Sequence, residues 1–221
     1  MYRILPLLDA GEVEECKRIA ANTQFVDGRA TNPHNKAKNN QQLHDPAATQ
    51  ASSQIMLKAF ARSEEFREFA FPAKIAPPLL TKYQPGQYYG AHADAAFLNL
   101  GNNIIIRSDL SCTIFLNDPE SYEGGALHIQ LQNGDLRFKL KPGEAIIYPS
   151  DTFHEVERVT NGERLVAITF IQSQVKDPFQ RNLLFDLNEV AALEGLSMKQ
   201  ENFSRLQLVQ ANLLRYWADR P

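Results

Sequence analysis

Residues 143–172 read GEAIIYPSDTFHEVERVTNGERLVAITFIQ and contain three short runs rich in Ile, Val, Tyr, Phe and Thr. Pro, Asp, Asn and Gly separate these runs, and this combination of length, composition and boundaries is typical of β-strands. The last run, from Arg164 onward, is apolar at nearly every position. We therefore expect both of its faces to be covered, one by the interior of a β-sandwich and the other by a helix.

Five more runs of the same kind precede this stretch. They read LLTKY, QYYGAHAD, DLSCTIFLND, GGALHIQL and LRFKLKP. The first is followed by QPGQ, whose central Pro and Gly indicate a tight turn. Short strands that alternate with turn signals predict an antiparallel all-β sandwich or barrel.

Helical patterns flank the β region on both sides. Asp9 and Glu12 form the sequence signature of a capping box, and Asp45 with Pro46 indicates the start of a second helix. Near the C-terminus, RNLLFDLNEVAAL ends at Gly195, and a last helix follows it. The apolar residues expected on the buried helix faces are Val13, Cys16 and Ala20, then Leu57, Phe60 and Ala61, then Phe66 and Phe69, and finally Leu206, Val209, Leu213 and Trp217.

The predicted fold class is therefore mainly β with flanking helices (α+β). We expect an N-terminal helical region with a polar loop at residues 1–77, a β core at 78–175 and a C-terminal helical region at 176–221. No repeat or linker separates independent domains.

Charge, hydropathy and cysteine content argue against several classes of protein. The 221 residues carry a net charge of −3, without the basic excess or stripe of a nucleic-acid binder. No apolar run approaches membrane-spanning length, and the N-terminus does not resemble a signal peptide. The two cysteines, Cys16 and Cys112, lie far apart and at no metal-ligand spacing, so we expect two plain buried thiols and a cytoplasmic protein.

The segment 25–42, FVDGRATNPHNKAKNNQQ, is polar and rich in Asn and Gln. Its composition predicts a long loop, and long loops inside compact proteins are more often functional than idle. We expect this loop to act as a substrate lid.

His92 and Asp94 lie two residues apart in YGAHADAAF. Two such residues on one strand point to the same side, and two histidines with one carboxylate form the usual iron site of non-haem oxygenases. The pair alone is weak evidence for a metal site, because a histidine and an aspartate that cap a loop could have the same spacing. Of the other histidines, His154 at the start of a strand is the best third ligand. His34 and His44 lie in or beside the polar loop, and His128 is expected to be an ordinary strand residue.

Arg164 begins the apolar strand. If it points into the sandwich it needs an anion, because an unpaired buried charge is costly. A two-residue turn at Asn161-Gly162 would send His154 and Arg164 to opposite faces, whereas a three-residue turn would put both on one face. The residues alone leave this choice open.

Taken together, YGAHADAAF, RSDLSCTIFLNDPESYEGGALHI and PGEAIIYPSDTFHEVERVTNGERLVAITFIQS resemble the prolyl-hydroxylase-like Fe(II)/2-oxoglutarate dioxygenases. More closely, the chain is similar to the bacterial PKHD-type hydroxylases, also in FVDGRAT, KNNQQL and NLLRYWAD. The resemblance implies a double-stranded β-helix (jelly-roll) core. It also implies an enzyme that uses Fe(II), 2-oxoglutarate, O2 and L-ascorbate to hydroxylate a C–H bond, with succinate and CO2 as products.

The resemblance also assigns site residues. It implies that His92, Asp94 and His154 bind iron, that Arg164 binds the distal carboxylate of 2-oxoglutarate, and that Tyr83 lies near the cosubstrate. Phe115 stands where some prolyl hydroxylases have a tyrosine, so any further hydroxyl is expected from Thr113 or Ser111. Arg107 and Asp109 either contact the primary substrate or form a surface ion pair.

Three alternatives stay open. One is a non-redox, cupin-like metal-binding sandwich, either an isomerase or a ligand-binding module, which would not need an inward Arg164. Another is a nucleic-acid demethylase, against which the acidic balance argues. The third is a structural or assembly protein whose helices form an oligomer interface through Leu213, Tyr216 and Trp217, although packing of these residues on the core is favoured. The substrate, peptidyl or small-molecule, is not identified by the sequence, and we expect neither a nucleic acid nor a membrane as partner.

Overall fold

The computed structural model describes residues 1–30, 37–101, 103–131 and 134–219. The helices are α1 (Ala10–Ala21), α2 (Pro46–Arg62), α3 (Glu64–Ala70), α4 (Pro178–Glu194) and α5 (Gln200–Trp217). The strands are β1 (Arg3–Pro6), β2 (Phe25–Asp27), β3 (Lys38–Asn39), β4 (Gln41–Leu43), β5 (Pro72–Ile75), β6 (Leu79–Tyr83), β7 (Tyr88–His92), β8 (Phe97–Asn99), β9 (Ile105–Arg107), β10 (Leu110–Phe115), β11 (Tyr122–Gly124), β12 (Leu127–Leu131), β13 (Gly134–Phe138), β14 (Glu144–Pro149), β15 (His154–Val156), β16 (Val159–Gly162) and β17 (Arg164–Ser173).

Two antiparallel sheets form the core. The major sheet has the order β1-β14-β10-β17-β6-β4-β2, with β5 also paired to β17, and the minor sheet has the order β13-β12-β15-β7-β3. Small two-strand pairs, β8 with β9 and β11 with β16, lie outside them. This arrangement confirms the predicted jelly-roll sandwich.

Apolar side chains pack on both faces of the major sheet. Val166 of β17 lies in a cluster between the two sheets, whereas its neighbours Leu165 and Ala167 lie in a larger cluster with residues of α1, α2 and α3. This alternation follows from the period of two along a strand. The double coverage predicted for the apolar run after Arg164 is therefore confirmed.

The helix starts agree with the sequence, and one predicted helix face needs correction. Asp9 accepts from the Glu12 N–H in a complete capping box, and Asp45 caps α2 with Pro46 in its first turn. The buried face of α2 includes Met56 and Phe60, whereas Ala61 is exposed.

The prediction that residues 1–77 are helical with one polar loop was wrong in part. β1 pairs with β14 at one edge of the major sheet, and β2 and β4 extend its other edge beyond β6. Within the predicted loop 25–42, residues 31–36 lie outside the described residues, and the rest contains short strands. Gln41 and Gln42 pair with Lys82 and Thr81, so these polar residues form ladder hydrogen bonds instead of a loop.

Neither hairpin considered for residues 158–164 forms. β15 pairs with β12 and β7 in the minor sheet, β16 pairs with β11, and β17 runs through the centre of the major sheet. The chain therefore crosses from one sheet to the other between His154 and Arg164. Gly162 has a φ of +72°, and a Cβ there would come within 2.3 Å of the Ser121 carbonyl oxygen, so the crossing requires glycine.

The two C-terminal helices differ in their packing, because α4 contacts α3 and contributes Phe185 to the core cluster. α5 contacts α4 and has no fully buried residue. Tyr216 is 85% exposed and Leu193 of α4 is 78% exposed. The expectation that the terminal helix packs on the β core was therefore wrong, and homo-oligomer formation stays a prediction.

Two further expectations concern the whole chain. Cys16 and Cys112 are both free and buried, as predicted. Within the part of the chain that the structure describes, no helix is long and apolar enough to cross a membrane.

Candidate active site

A cavity of about 460 Å³ lies between the two sheets. Its lining includes His92, Asp94 and His154 as well as Arg164. Ser111, near the start of β10, contacts Asp94, and the Phe115 ring at the end of the same strand lies against Arg164. The three residues and Arg164 therefore face the cavity from different ends of β10.

The His-Asp-His group brings together the ends of two paired strands. His92 is the last residue of β7 and pairs directly with His154, the first residue of β15. Asp94 follows β7, with one carboxylate oxygen 3.8 Å from His92 Nε2 and the other 3.6 Å from His154 Nε2. One ligand atom from each residue lies within 4.8 Å of the others, and among the described residues this is the single group of this kind. Such a set could hold a metal ion on one face and leave positions free for other ligands.

Both histidine rings are oriented by backbone carbonyls. His92 Nδ1 is 2.9 Å from the Gly90 carbonyl oxygen, and His154 Nδ1 is 2.9 Å from the Thr152 carbonyl oxygen. A proton on each Nδ1 leaves Nε2 as the free lone pair, which is the form that binds a metal. Burial, and then the neighbouring His154, lower the pKa of His92 below its usual value, which favours the neutral ring.

Aromatic rings pack against the two histidines. The Tyr89 ring stacks on His92 with centroids 3.7 Å apart, and the Tyr148 ring meets His154 edge-on at 5.1 Å. These contacts limit ring rotation, and they keep water from one side of each histidine.

Arg164 lies at the other end of the cavity and is 1% exposed. Its guanidinium lies 5.0 Å from the Tyr83 ring centroid and 5.4 Å from that of Phe115. Its Nε and Nη1 have no hydrogen-bond partner within the described residues. A buried guanidinium with free donors calls for an anion, and a carboxylate matches its planar geometry.

The cavity-lining residues Ser111, Thr113 and Tyr148 carry hydroxyl groups. Ser111 donates to Asp94 at 2.5 Å, so its proton is already used. Thr113 lines the same cavity and hydrogen-bonds Tyr148, whose phenol pKa burial raises well above its usual range. Thr113 and Tyr148 therefore bring hydroxyl groups to the cavity, and the Tyr122 hydroxyl interacts with Arg164 itself.

Tyr83 shapes the cavity wall. It pairs with Arg164 across β6 and β17, its ring lies under the guanidinium, and its hydroxyl accepts a 2.9 Å hydrogen bond from Asn40 Nδ2. Tyr83 therefore lies next to Arg164, where the family resemblance predicts that 2-oxoglutarate binds.

Among the lining residues that the sequence reasoning did not name are Lys38, Asn40, Gln42 and Tyr148. The first three come from the supposed loop, and no signal in their polar composition indicated burial. Tyr148 could have been found, because alternation along EAIIYP puts it on the same face as the interior residue Ile146.

The remaining candidates lie elsewhere. His128 faces away from the cavity and bonds Glu155 at 2.9 Å, so it is an ordinary strand residue, as expected. His44 lies outside the cavity lining, and His34 lies outside the described residues.

Arg107 forms a two-pronged ion pair with Asp109 at 2.6 and 3.0 Å, which favours the ion-pair interpretation of these two residues over contact with a substrate.

The residues present fit ferrous iron and 2-oxoglutarate. Two imidazoles and a carboxylate are a suitable set of metal ligands. The unpaired N–H groups of Arg164 can hydrogen-bond a carboxylate of 2-oxoglutarate.

Comparisons with known proteins agree with this geometry. Residues 78–172 match the 2OG-Fe(II) oxygenase superfamily. A PKHD-type hydroxylase from Sphingopyxis alaskensis is 58% identical over 217 residues, which cover 98% of this chain and 99% of that protein. Among solved structures, a prolyl hydroxylase from Trichoplax adhaerens has a TM-score of 0.58 and 15% identity, covering 82% of this chain and 86% of that one. A Pseudomonas putida prolyl-4-hydroxylase has a TM-score of 0.52 and 20% identity, covering 78% and 92% respectively. At these identities the solved structures show a shared fold alone.

Fold and site together define a 2-oxoglutarate-dependent dioxygenase, a class whose cofactors are Fe(II), 2-oxoglutarate and O2. Within that class, the chain belongs to the PKHD-type hydroxylases, because its identity to a member extends over nearly the full length of both chains.

Proposed function

We propose that this enzyme hydroxylates a C–H bond of a peptidyl or small-molecule substrate and forms succinate and CO2. His92, Asp94 and His154 hold the iron, and Arg164 binds the distal carboxylate of 2-oxoglutarate. Bound iron, with 2-oxoglutarate and O2, supplies the oxidising chemistry. The chain itself binds, orients and shields the reacting groups.

The observation that carries this proposal is the buried Arg164 with free Nε and Nη1 in the same cavity as the His-Asp-His group. Ser111 contacts Asp94 and Phe115 contacts Arg164 along the same strand, so a dicarboxylic acid in the cavity can lie between the metal group and the guanidinium. Tyr83 and Phe115 sandwich the guanidinium, so few orientations are open to it. Thr113 and Tyr148 are the hydroxyl donors that supplement it.

The substrate enters beside the metal group, where apolar residues line the mouth. Leu98 and Leu100, from the β8–β9 segment, line the cavity, while Phe97 and Ile105 of the same segment are 64% and 58% exposed. An exposed apolar rim next to a reactive centre is suited to an apolar part of a substrate. Lys38, buried on the same wall, offers a positive charge beside it.

The anaerobic protein with Fe(II) and 2-oxoglutarate tests the proposal. We expect a weak visible charge-transfer band that O2 bleaches, with one succinate formed per 2-oxoglutarate consumed. Asp94→Ala is the matched variant and should give no band. A wild-type protein that binds Fe(II) without a band, or that produces no succinate with any candidate peptide or small molecule, would count against the proposal.

The sequence also allowed a non-redox, cupin-like sandwich that acts as an isomerase or a ligand-binding module. That alternative does not explain why Arg164 is buried with unpaired donors. L-Ascorbate, as the reductant that keeps iron ferrous, belongs to the proposal. So does a cytoplasmic location, which the two free buried cysteines favour.

A further inference from the structure

Asp94 is held by a buried hydroxyl that neither the metal group nor Arg164 accounts for. Ser111, on the central strand β10, donates to Asp94 Oδ2 at 2.5 Å and is 2% exposed. Resting on the function proposed above, we propose that Ser111 is a positioning residue that fixes the Asp94 carboxylate in the orientation required for iron binding.

Ser111 is the end of a directed chain of hydroxyls. Ser111 Oγ is 2.8 Å from Ser150 Oγ, which is 2.8 Å from Ser108 Oγ. Each hydroxyl has one proton to give. Since the Ser111 proton goes to Asp94, Ser150 donates to Ser111, and Ser108 donates to Ser150. All three side chains are at most 9% exposed, so water does not compete for these bonds.

The backbone strengthens the same contact. The Asp94 N–H bonds the Ser150 carbonyl oxygen at 3.3 Å, and the Ser150 N–H bonds the Asp109 carbonyl oxygen at 3.2 Å. Asp94 lies beyond the end of β7, where no ladder hydrogen bonds fix it. The serine chain therefore does for Asp94 what the Gly90 and Thr152 carbonyls do for the two histidines.

This arrangement has a chemical consequence for the carboxylate. The hydrogen bond from Ser111 to Oδ2 restrains rotation of the Asp94 carboxylate. With an ion bound, the carboxylate would keep the orientation in which its oxygens face His92 and His154. Loss of such supporting partners typically weakens metal affinity about 10- to 100-fold.

The test compares Fe(II) binding by three variants of the full chain under anaerobic conditions. Ser111→Ala removes the donor, Ser111→Thr keeps it, and Ser52→Ala removes a buried hydroxyl that bonds only a carbonyl within α2. The measurements are the Fe(II) dissociation constant, the charge-transfer band with 2-oxoglutarate, and the thermal midpoint of the metal-free protein.

We expect Ser111→Ala to raise the Fe(II) dissociation constant about 10- to 100-fold and to shift the charge-transfer band. Ser111→Thr should remain close to wild type, and the two alanine variants should have similar thermal midpoints. An unchanged dissociation constant and band in Ser111→Ala would overturn the proposal. If Ser111→Ala does not fold, Ser108→Ala gives the decisive result: weaker iron binding supports the chain, and unchanged binding refutes it.

Failure of the proposed function has a different signature. In that case the wild-type protein itself would give no band with Fe(II) and 2-oxoglutarate. A wild-type band together with a normal Ser111→Ala variant would refute the positioning role alone.

Discussion

At the scale of single residues, Arg164 shows how a buried charge indicates function. Its side chain is among the largest fully buried ones in the described part of the chain, yet two of its nitrogens lack acceptors there. Leaving buried donors unpaired costs free energy, so folding alone does not explain this arginine. An anionic ligand does.

Arg164→Ala should raise the KM for 2-oxoglutarate about 10- to 100-fold, because hydrogen bonds to a charged group contribute about 1.5–3 kcal/mol. Steady-state succinate formation over a range of 2-oxoglutarate concentrations measures this. Arg181→Ala is a matched control, since that arginine is 3% exposed but bonds the Val175 carbonyl outside the cavity. Equal KM values for the two variants would contradict the assignment of Arg164.

The sequence indicated the candidate site only in part at this scale. His-x-Asp at positions 92 and 94 is a weak signal by itself. Strand position indicated His154 and Arg164 as candidates, and the resemblance assigned their roles. Ser111 was expected to help Arg164, but its proton goes to Asp94. The spacing of residues in the sequence does not show which group a serine hydroxyl bonds. The partner of Ser111 depends on which strands are neighbours in the fold, so this bond could not have been predicted.

At the scale of elements, β3, β4 and the residue between them contribute Lys38, Gln42 and Asn40 to the cavity lining. Lys38 is 6% exposed, and burial lowers its pKa to about 8. Asn40 bonds Tyr83, and the role of a substrate lid stays a prediction. Polar composition predicted a loop because the alternation that marks a strand needs more residues than β3 or β4 contains.

Lys38 should make stability depend on pH. An unfolded lysine has a pKa of about 10.4, so between pH 8 and that value the unfolded chain holds a proton that the folded chain lacks. The free energy of unfolding contributed by this group therefore rises with pH across that window, by at most about 1.4 kcal/mol per pH unit, and is flat below it.

Urea unfolding of the metal-free protein at pH 8, 9 and 10 measures this dependence. We expect the difference in free energy of unfolding between wild type and Lys38→Met to grow in favour of the wild type as pH rises. Lys74→Met changes an exposed lysine on β5 and should give no such trend. A pH-independent difference for Lys38→Met would show that its pKa is not lowered.

The error over the hairpin has a topological cause. Deciding by the length of the turn whether His154 and Arg164 share a face assumes that the two consecutive strands pair in a hairpin. In this jelly roll the chain passes through β16 to the other sheet. The two residues face one cavity because the sheets face each other, and no local turn rule contains that information.

At the scale of the whole molecule, an ion-pair cluster ties the C-terminal segment to the core. Arg107 bonds Asp109 on one side and Asp219 at 2.7 Å on the other. Asp109 also accepts from the Ser173 N–H at 2.8 Å, at the end of β17. The cluster therefore joins β9, β17 and the residues after α5.

The two aspartates should differ in their effect on stability. The Asp109 side chain is 7% exposed and that of Asp219 is 44% exposed. Asp109→Ala removes the acceptor of Arg107 Nε and leaves the Ser173 N–H unpaired, and it should cost about 2–4 kcal/mol. Asp219→Ala removes a solvent-screened pair and should cost less than about 1 kcal/mol. Urea unfolding curves measure both, and equal losses would contradict the role given to Asp109.

The two buried cysteines have a consequence for a catalyst that handles dioxygen. Burial raises the pKa of the Cys16 thiol to about 12 and that of Cys112, next to Ser111 in the chain, further still. Peroxide attacks thiolates and leaves thiols largely untouched. The folded enzyme should therefore resist sulfenic acid formation, and alkylating reagents should label it only after unfolding.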